Sequence, residues 1–283
     1  MSMINKNSSS QWVESQSTAT SRRYAPCVSG DTEILTERGY FSIRSLVDQE
    51  VSVWNGKEFS TVIPSVTGEN QDILKVTLSD NKEIKCTFSH QWILSDNSRI
   101  EAKDLKIGSV LTKVSFPVIE FGQDYAQDDI ISGVGNPRVD YSIASRLQWL
   151  ANIFEKHHEL NFLVDGDEQK SKIVRVQCID NKDLMDIVLV LNTLGVGDYS
   201  IFNQHDVANL RLPLKSIRKL IALGIPFDFE PLPTNDFLDG LLEKATVVVG
   251  LKVIGKMDKV YCFTERQQHA GIFSGILLGN CGQ

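Results

Sequence analysis

A run of apolar residues long enough to cross a bilayer is missing from this 283-residue sequence. The apolar stretch of a secretory leader is missing too: the first 26 residues, MSMINKNSSSQWVESQSTATSRRYAP, are polar and rich in Ser and Thr. A cytoplasmic protein with an unstructured start is expected, without contact to a membrane. Cysteine is scarce, with five residues at 27, 86, 178, 262 and 281 and neither a CxxC nor a zinc-ligand spacing. A disulfide framework and a structural metal are therefore not expected, and each thiol has to be read singly. An excess of basic residues is also lacking. Residues 121–245 hold 12 Lys and Arg against 19 Asp and Glu, which accounts for the whole net charge of −7. An acidic segment is repelled by a phosphate backbone, so strong nucleic-acid binding there is disfavoured.

What is present is β pattern on both sides of a helical block. The stretches YFSIRSL, VSVWNGKEFSTVIPSVTG, DILKVTLSD and KEIKCTFSHQWIL are rich in Val, Ile, Thr and aromatics and are parted by the turn signals WNGK and SDNK. FGQDYAQDDIISGVGNPRVD reads as a Gly- and Asp-rich linker. Helical spacing comes next in SIASRLQWLANIFEKHH and in NKDLMDIVLVLNTLG, where Leu184, Ile187, Val188, Leu191 and Leu194 share one face. Asn181 suits the start of the second helix and Gly195 its stop. A third helix is expected at LKSIRKLIALG, with strand-like pieces NFLVDG, KIVRVQCID and ANLRLPL between the helices. From residue 246 the β pattern returns in TVVVGLKVIGKMDKVYCFTE and GIFSGILL. A β module interrupted by an α+β block reads as one domain inserted into a surface loop of another.

Three short stretches of the β module carry reactive groups: CVSGDTEILT at Cys27, KCTFSHQWIL with Thr87 and His90, and VYCFTERQQHAGIFSGILLGNC ending in Asn280 and Cys281. Singly, each reads as an ordinary buried side chain or a frayed end. Together they match one chemistry. A thiol that attacks the carbonyl of the preceding residue, Pro26, turns a peptide into a thioester. Only a small fraction of a thiol with a pKa of about 8.5 is ionised at neutral pH, so a base or a strained amide has to help. A histidine can protonate the departing nitrogen, and a threonine hydroxyl can hold the scissile bond out of its relaxed geometry. A second thiol can take over the acyl group, and an Asn side-chain amide can cyclise onto its own carbonyl to release the downstream residues.

On CVSGDTEIL, TFSH and GILLGNC, in that order, the sequence resembles an intein, a self-splicing element with the mainly β, horseshoe-like Hint fold. The resemblance implies a role for each reactive group. Cys27 is the first nucleophile, Thr87 and His90 activate the upstream junction, Cys281 is the second nucleophile, Asn280 cyclises and His269 assists it. Residues 1–26 are then an N-terminal flank, 27–120 and 246–280 the two parts of the splicing domain, 121–245 the insert and 281–283 the C-terminal flank. No cofactor is implied. The partners are the chain's own flanks, and the protein is expected to act as a monomer.

Three positions depart from the family pattern. Gly279 stands where most inteins carry His, which leaves another group to help Asn280. Cys262 stands where many relatives carry Asp; it is read as activating Cys27, or alternatively as a branch nucleophile beside Trp92. Pro26 is an awkward acyl donor because its ring restricts the approach. The insert resembles one repeat of a LAGLIDADG homing endonuclease in SRLQWLANIFEKHHEL and the strand and helix after it. His157 and His158 replace its metal-binding acid and packing Gly, and Asn152 replaces an earlier packing Gly. Imidazoles do not build a magnesium site, so a nuclease that has lost its activity is expected. The tail from Tyr261 to Cys281 is most similar to inteins of ribonucleotide reductase large subunits. A DNA-cleaving module is the alternative. A hedgehog-type autoprocessing domain is a third reading, but it has no use for a terminal Asn.

Overall fold

The computed structural model describes residues 26–156, 174–178, 181–204, 207–227 and 245–280. The first stretch builds nine strands: β1 (Val28–Ser29), β2 (Glu33–Thr36), β3 (Gly39–Ser42), β4 (Val51–Trp54), β5 (Phe59–Val62), β6 (Ser65–Leu78), β7 (Glu83–Thr87), β8 (Gln91–Ile93) and β9 (Arg99–Glu101). Then come α1 (Gln127–Ser132), α2 (Ile143–Lys156), β10 (Val174–Cys178), α3 (Asn181–Thr193), β11 (Ser200–Gln204), β12 (Val207–Leu212) and α4 (Leu214–Ala222). The chain returns to strand in β13 (Val248–Cys262), β14 (Ala270–Phe273) and β15 (Ile276–Gly279). The architecture is mainly β. Among the described residues no helix is long and apolar enough to cross a membrane.

β1, β13, β6 and β7 close into a barrel, and a second sheet runs β5-β4-β2-β14-β15-β8-β9 with β3 on β2. The long pair β6–β13 is antiparallel from Leu78 opposite Val248 to Ser65 opposite Cys262, with three register shifts that bend it. In sequence β6 reads as two pieces, because VTGENQD is polar. Pairing carries the strand through: Glu69 faces Lys259 and Asp72 faces Lys256 on the exposed stretch, where opposite charges across a ladder favour pairing. GIFSGILL, which reads as one strand, is a hairpin. Ser274 and Gly275 both take positive φ, +48° and +79°, the turn geometry that suits the twist of a two-residue hairpin.

Apolar residues of both sheets, among them Val28, Ile34, Val53, Val76, Trp92, Phe263, Phe273 and Leu278, form one core. A separate core lies between α2, α3, α4 and the three-stranded sheet β10-β12-β11. The five residues expected on one face of α3, Leu184 to Leu194, are all buried there. Gly195 ends that helix at φ +71°, a conformation that costs glycine little. The expected linker contains the short helix α1. Its C-cap is Gly133, also left-handed.

The two cores meet along a polar and apolar seam. Leu35, Tyr40 and Ile272 pack with Ile119 and Leu189. The Lys82 ammonium, nearly sealed from water, lies 2.7 Å from Asp80 and donates to the Tyr199 hydroxyl at 2.9 Å. Burial works against this charge, but Asp80 and Tyr199 raise the Lys82 pKa above its ordinary value. Arg138 spans Glu33 at 3.2 Å and Asp186 at 3.5 Å, and Asn192 donates to the Tyr40 hydroxyl. His157 and His158 lie outside the described residues. Asn152 is buried, with its carbonyl taking a bond from Gln148.

Candidate active site

The first strand is two residues long and is held on both sides. Val28 faces Tyr261 of β13 and Cys86 of β7. That grip fixes the residue just ahead of it. The Cys27 amide donates to the Thr87 hydroxyl at 3.0 Å, and the Thr87 amide donates to the Cys27 carbonyl at 2.9 Å. Both residues are buried. The Cys27 Sγ lies 2.9 Å from the Thr67 hydroxyl, which in turn reaches the Val260 carbonyl. Continuing the β1–β13 register by one residue sets Cys27 opposite Cys262. The Cys262 thiol is buried and bonds to the Phe263 carbonyl at 3.4 Å.

After β7 the chain turns sharply, with the His90 amide on the Thr87 carbonyl. The turn sends the imidazole back towards the residue before Cys27. His90 is fully buried and neither ring nitrogen makes a close hydrogen bond. Its ring edge meets the Phe273 face at a centroid distance of 5.5 Å. Burial pushes the His90 pKa down to about 4, with the Pro26 carbonyl opposing in part. A neutral imidazole therefore sits against the peptide group between Pro26 and Cys27. Beside it, burial pushes the Cys86 thiol up to about 12, opposed by the Trp92 indole. Cys86 thus behaves as a packing residue.

The second cluster hangs from β15, which is held by β14 and by β8, with Leu278 opposite Trp92. Asn280 comes directly after it and is 5% exposed. Its amide donates to the His269 carbonyl at 3.2 Å, its side-chain nitrogen donates to the Glu265 carbonyl at 3.1 Å, and its side-chain oxygen has no partner among the described residues. His269 is half-buried at φ +50°, with Nδ1 unpartnered. It reaches Asn280 through its backbone. The Glu265 carboxylate accepts the Gln267 and Gln268 amides at 2.9 and 2.7 Å. Burial alone would raise its pKa; the Gln267 amide, Ser60, the Gln268 amide and Asn55 outweigh that and hold it below the usual range. Cys281 lies outside the described residues.

The structure thus brings Pro26, Cys27, Thr87 and His90 together, and gathers His269, Gly279 and Asn280 at a second point. The segment 87–92 serves both, since His90 touches Phe273 of β14 while Trp92 pairs with β15. Thr67, Arg99 and Glu265 are not expected from the sequence. The first two are common residue types in ordinary strand positions. Glu265 stands among polar neighbours, Thr264, Arg266, Gln267 and Gln268, and has no such signal either.

No family model matches the chain. Among curated proteins it is similar to the ribonucleoside-diphosphate reductase large subunit of Invertebrate iridescent virus 6, at 25% identity over 356 residues, with 91% of this chain and 36% of that protein covered. The chain therefore spans about a third of that relative's length. Among solved structures, a DnaB intein from Synechocystis covers 91% of this chain and 99% of its own, at 10% identity and a TM-score of 0.41. The gp41-1 intein (10% identity, TM-score 0.37) covers 90% and 98% of the two chains. A bacterial intein-like domain from Clostridium thermocellum (14% identity, TM-score 0.37) covers 90% and 97%.

Proposed function

We propose that this chain is a self-splicing element, in which residues 27–280 excise themselves and join residues 1–26 to 281–283. The observation that carries the reading is the pairing of Cys27 with Thr87 in front of a neutral, buried His90 that faces the Pro26 carbonyl. A metal-free acyl transfer needs a nucleophile held at the carbonyl and a base beside it that can become an acid.

The reaction has four steps. The Cys27 sulfur attacks the Pro26 carbonyl carbon, the Pro26–Cys27 C–N bond breaks, and the thiol proton passes through His90 to the departing amine. Thr87, bonded to the Cys27 amide, keeps that nitrogen out of conjugation as the bond breaks. Cys281 then attacks the thioester, freeing the Cys27 thiol and leaving a branched chain. The Asn280 side-chain nitrogen attacks its own backbone carbonyl, breaking the bond to the Cys281 nitrogen and closing a succinimide. The freed Cys281 amine finally takes the acyl group from its own sulfur, forming the Pro26–Cys281 peptide. Cys262, opposite Cys27, assists the first thiol, and His269 assists Asn280. The element acts as a cytoplasmic monomer on its own flanks, without a cofactor.

In this reading 27–120 and 246–280 form the splicing domain of Hint type, and 121–245 is a LAGLIDADG-like insert that no longer cleaves DNA. The acidic balance of that insert and the replacement of its metal-binding acid by imidazole support this. Similarity to a viral reductase large subunit supports a host of that kind for the flanks. Intact mass of the expressed chain tests the proposal. Splicing yields residues 27–280 with the mass of a C-terminal succinimide, together with the joined flanks. A reduced, refolded chain that keeps its full mass overturns it.

A further inference from the structure

The residue before Asn280 is a glycine, and the reason lies in its surroundings. A Cβ on Gly279 would stand 2.6 Å from the Gln91 Cβ and 3.0 Å from Arg99 Nη1. The space is filled by the Gln91 side chain and by the Arg99 guanidinium, the latter the charged group nearest to it. Arg99 opens β9 and reaches past β8 to the loop ahead of β14, donating from Nη1 to the His269 carbonyl at 2.8 Å and from Nη2 to the Gln268 carbonyl at 2.7 Å. The same His269 carbonyl receives the Asn280 amide. On the opposite side of this turn, Glu265 holds the Gln267 and Gln268 amides. A carboxylate thus grips the amides of the turn and a guanidinium grips its carbonyls. His269 is held at φ +50°, a conformation that a non-glycine residue keeps only where its surroundings enforce it.

We infer that Arg99 is a positioning residue for Asn280 cyclisation, its guanidinium taking the place that a side chain at 279 would have occupied. The inference rests on the splicing reading. Ring closure requires the Asn280 side-chain nitrogen to lie against its own carbonyl carbon. The bond from the Asn280 amide to the His269 carbonyl fixes the preceding peptide, Gly279–Asn280, and so the backbone from which the ring closes. Arg99 holds that carbonyl and the Gln268 carbonyl next to it with a two-pronged, charged contact, which a single ammonium cannot reproduce.

The full chain carrying Cys281→Ala, in which acyl transfer to position 281 is blocked, reports each junction separately. Added dithiothreitol releases residues 1–26 at Cys27, and Asn280 cyclisation releases residues 281–283, both read by mass. Adding Arg99→Ala is expected to slow the downstream release about ten- to a hundredfold, the effect of a misplaced reacting group, and to leave the thiol release unchanged. Arg99→Lys recovers part of the rate. Arg99 is exposed, so guanidinium chloride at concentrations too low to unfold the protein restores downstream release in Arg99→Ala. Downstream release as fast in Arg99→Ala as in its parent overturns the inference. So does equal slowing at both junctions, a Lys variant no faster than the Ala variant, or no recovery with guanidinium. Cleavage at neither junction in the parent overturns the splicing reading and this inference with it.

Discussion

Cys27 and Thr87 hold each other by three hydrogen bonds: the Cys27 amide donates to the Thr87 hydroxyl at 3.0 Å, the Thr87 amide donates to the Cys27 carbonyl at 2.9 Å, and the Thr87 hydroxyl donates to the same carbonyl at 3.4 Å. The first is the one that a splicing element can use, because it touches the nitrogen of the bond to be broken. Thr87→Val keeps the shape of the residue and deletes the hydroxyl that accepts from the buried Cys27 amide. We expect a stability loss of about 1–3 kcal/mol in denaturant unfolding and slower thiol-induced cleavage before Cys27. Unchanged cleavage in a folded variant would remove Thr87 from the chemistry.

His90 gives the folded protein a dependence on pH of definite sign. Its folded pKa is about 4, below the roughly 6.5 of an unfolded chain. As pH falls through that window the unfolded chain takes up the proton first, so stability declines between about pH 6.5 and 4 and is unaffected by this group above it. The loss accumulates to about 3 kcal/mol. Urea midpoints measured across this range should fall in the natural protein and fall less in His90→Gln. The same variant should lose upstream cleavage.

Asn280→Ala separates the two junctions. Release of residues 281–283 should stop, while dithiothreitol still cleaves before Cys27. Downstream release that persists in this variant would contradict the role proposed for Asn280.

The residues proposed to react can be picked out in the sequence because rare types stand in a fixed order at the two ends of β pattern. The residues that position them cannot. Arg99 acts on the carbonyl of His269, 170 positions away, and a backbone acceptor leaves no trace in sequence. Glu265 likewise works on amides. Strand β6 reads as two pieces because its outer half is polar. Only its partner β13, on the far side of the helical block, supplies the lysines that face Glu69 and Asp72. Local patterns such as the face of α3 can be read directly, since both the pattern and its burial arise within one helix.

The buried Asp80–Lys82 pair in the turn between β6 and β7 carries a large share of local stability. Asp80→Ala leaves the Lys82 ammonium nearly sealed from water without its counter-charge, and should cost about 3–5 kcal/mol. Adding Lys82→Met should restore much of that loss. Both are read as urea midpoints. A drop in upstream cleavage that tracks the drop in stability would tie the upstream chemistry to the buried charge of the β6–β7 turn.

Strand β1 closes the barrel with only two residues, and β15 ends at the residue before Asn280. In the proposed reaction the upstream cut precedes Cys27 and the downstream cut comes after Asn280. Among the described residues, every rung of both sheets therefore lies on the departing side of the two cuts. Excision breaks covalent links but no ladder bond, so the released segment leaves already folded. The energy of its fold neither drives nor resists the event, and the direction is set by bond chemistry alone.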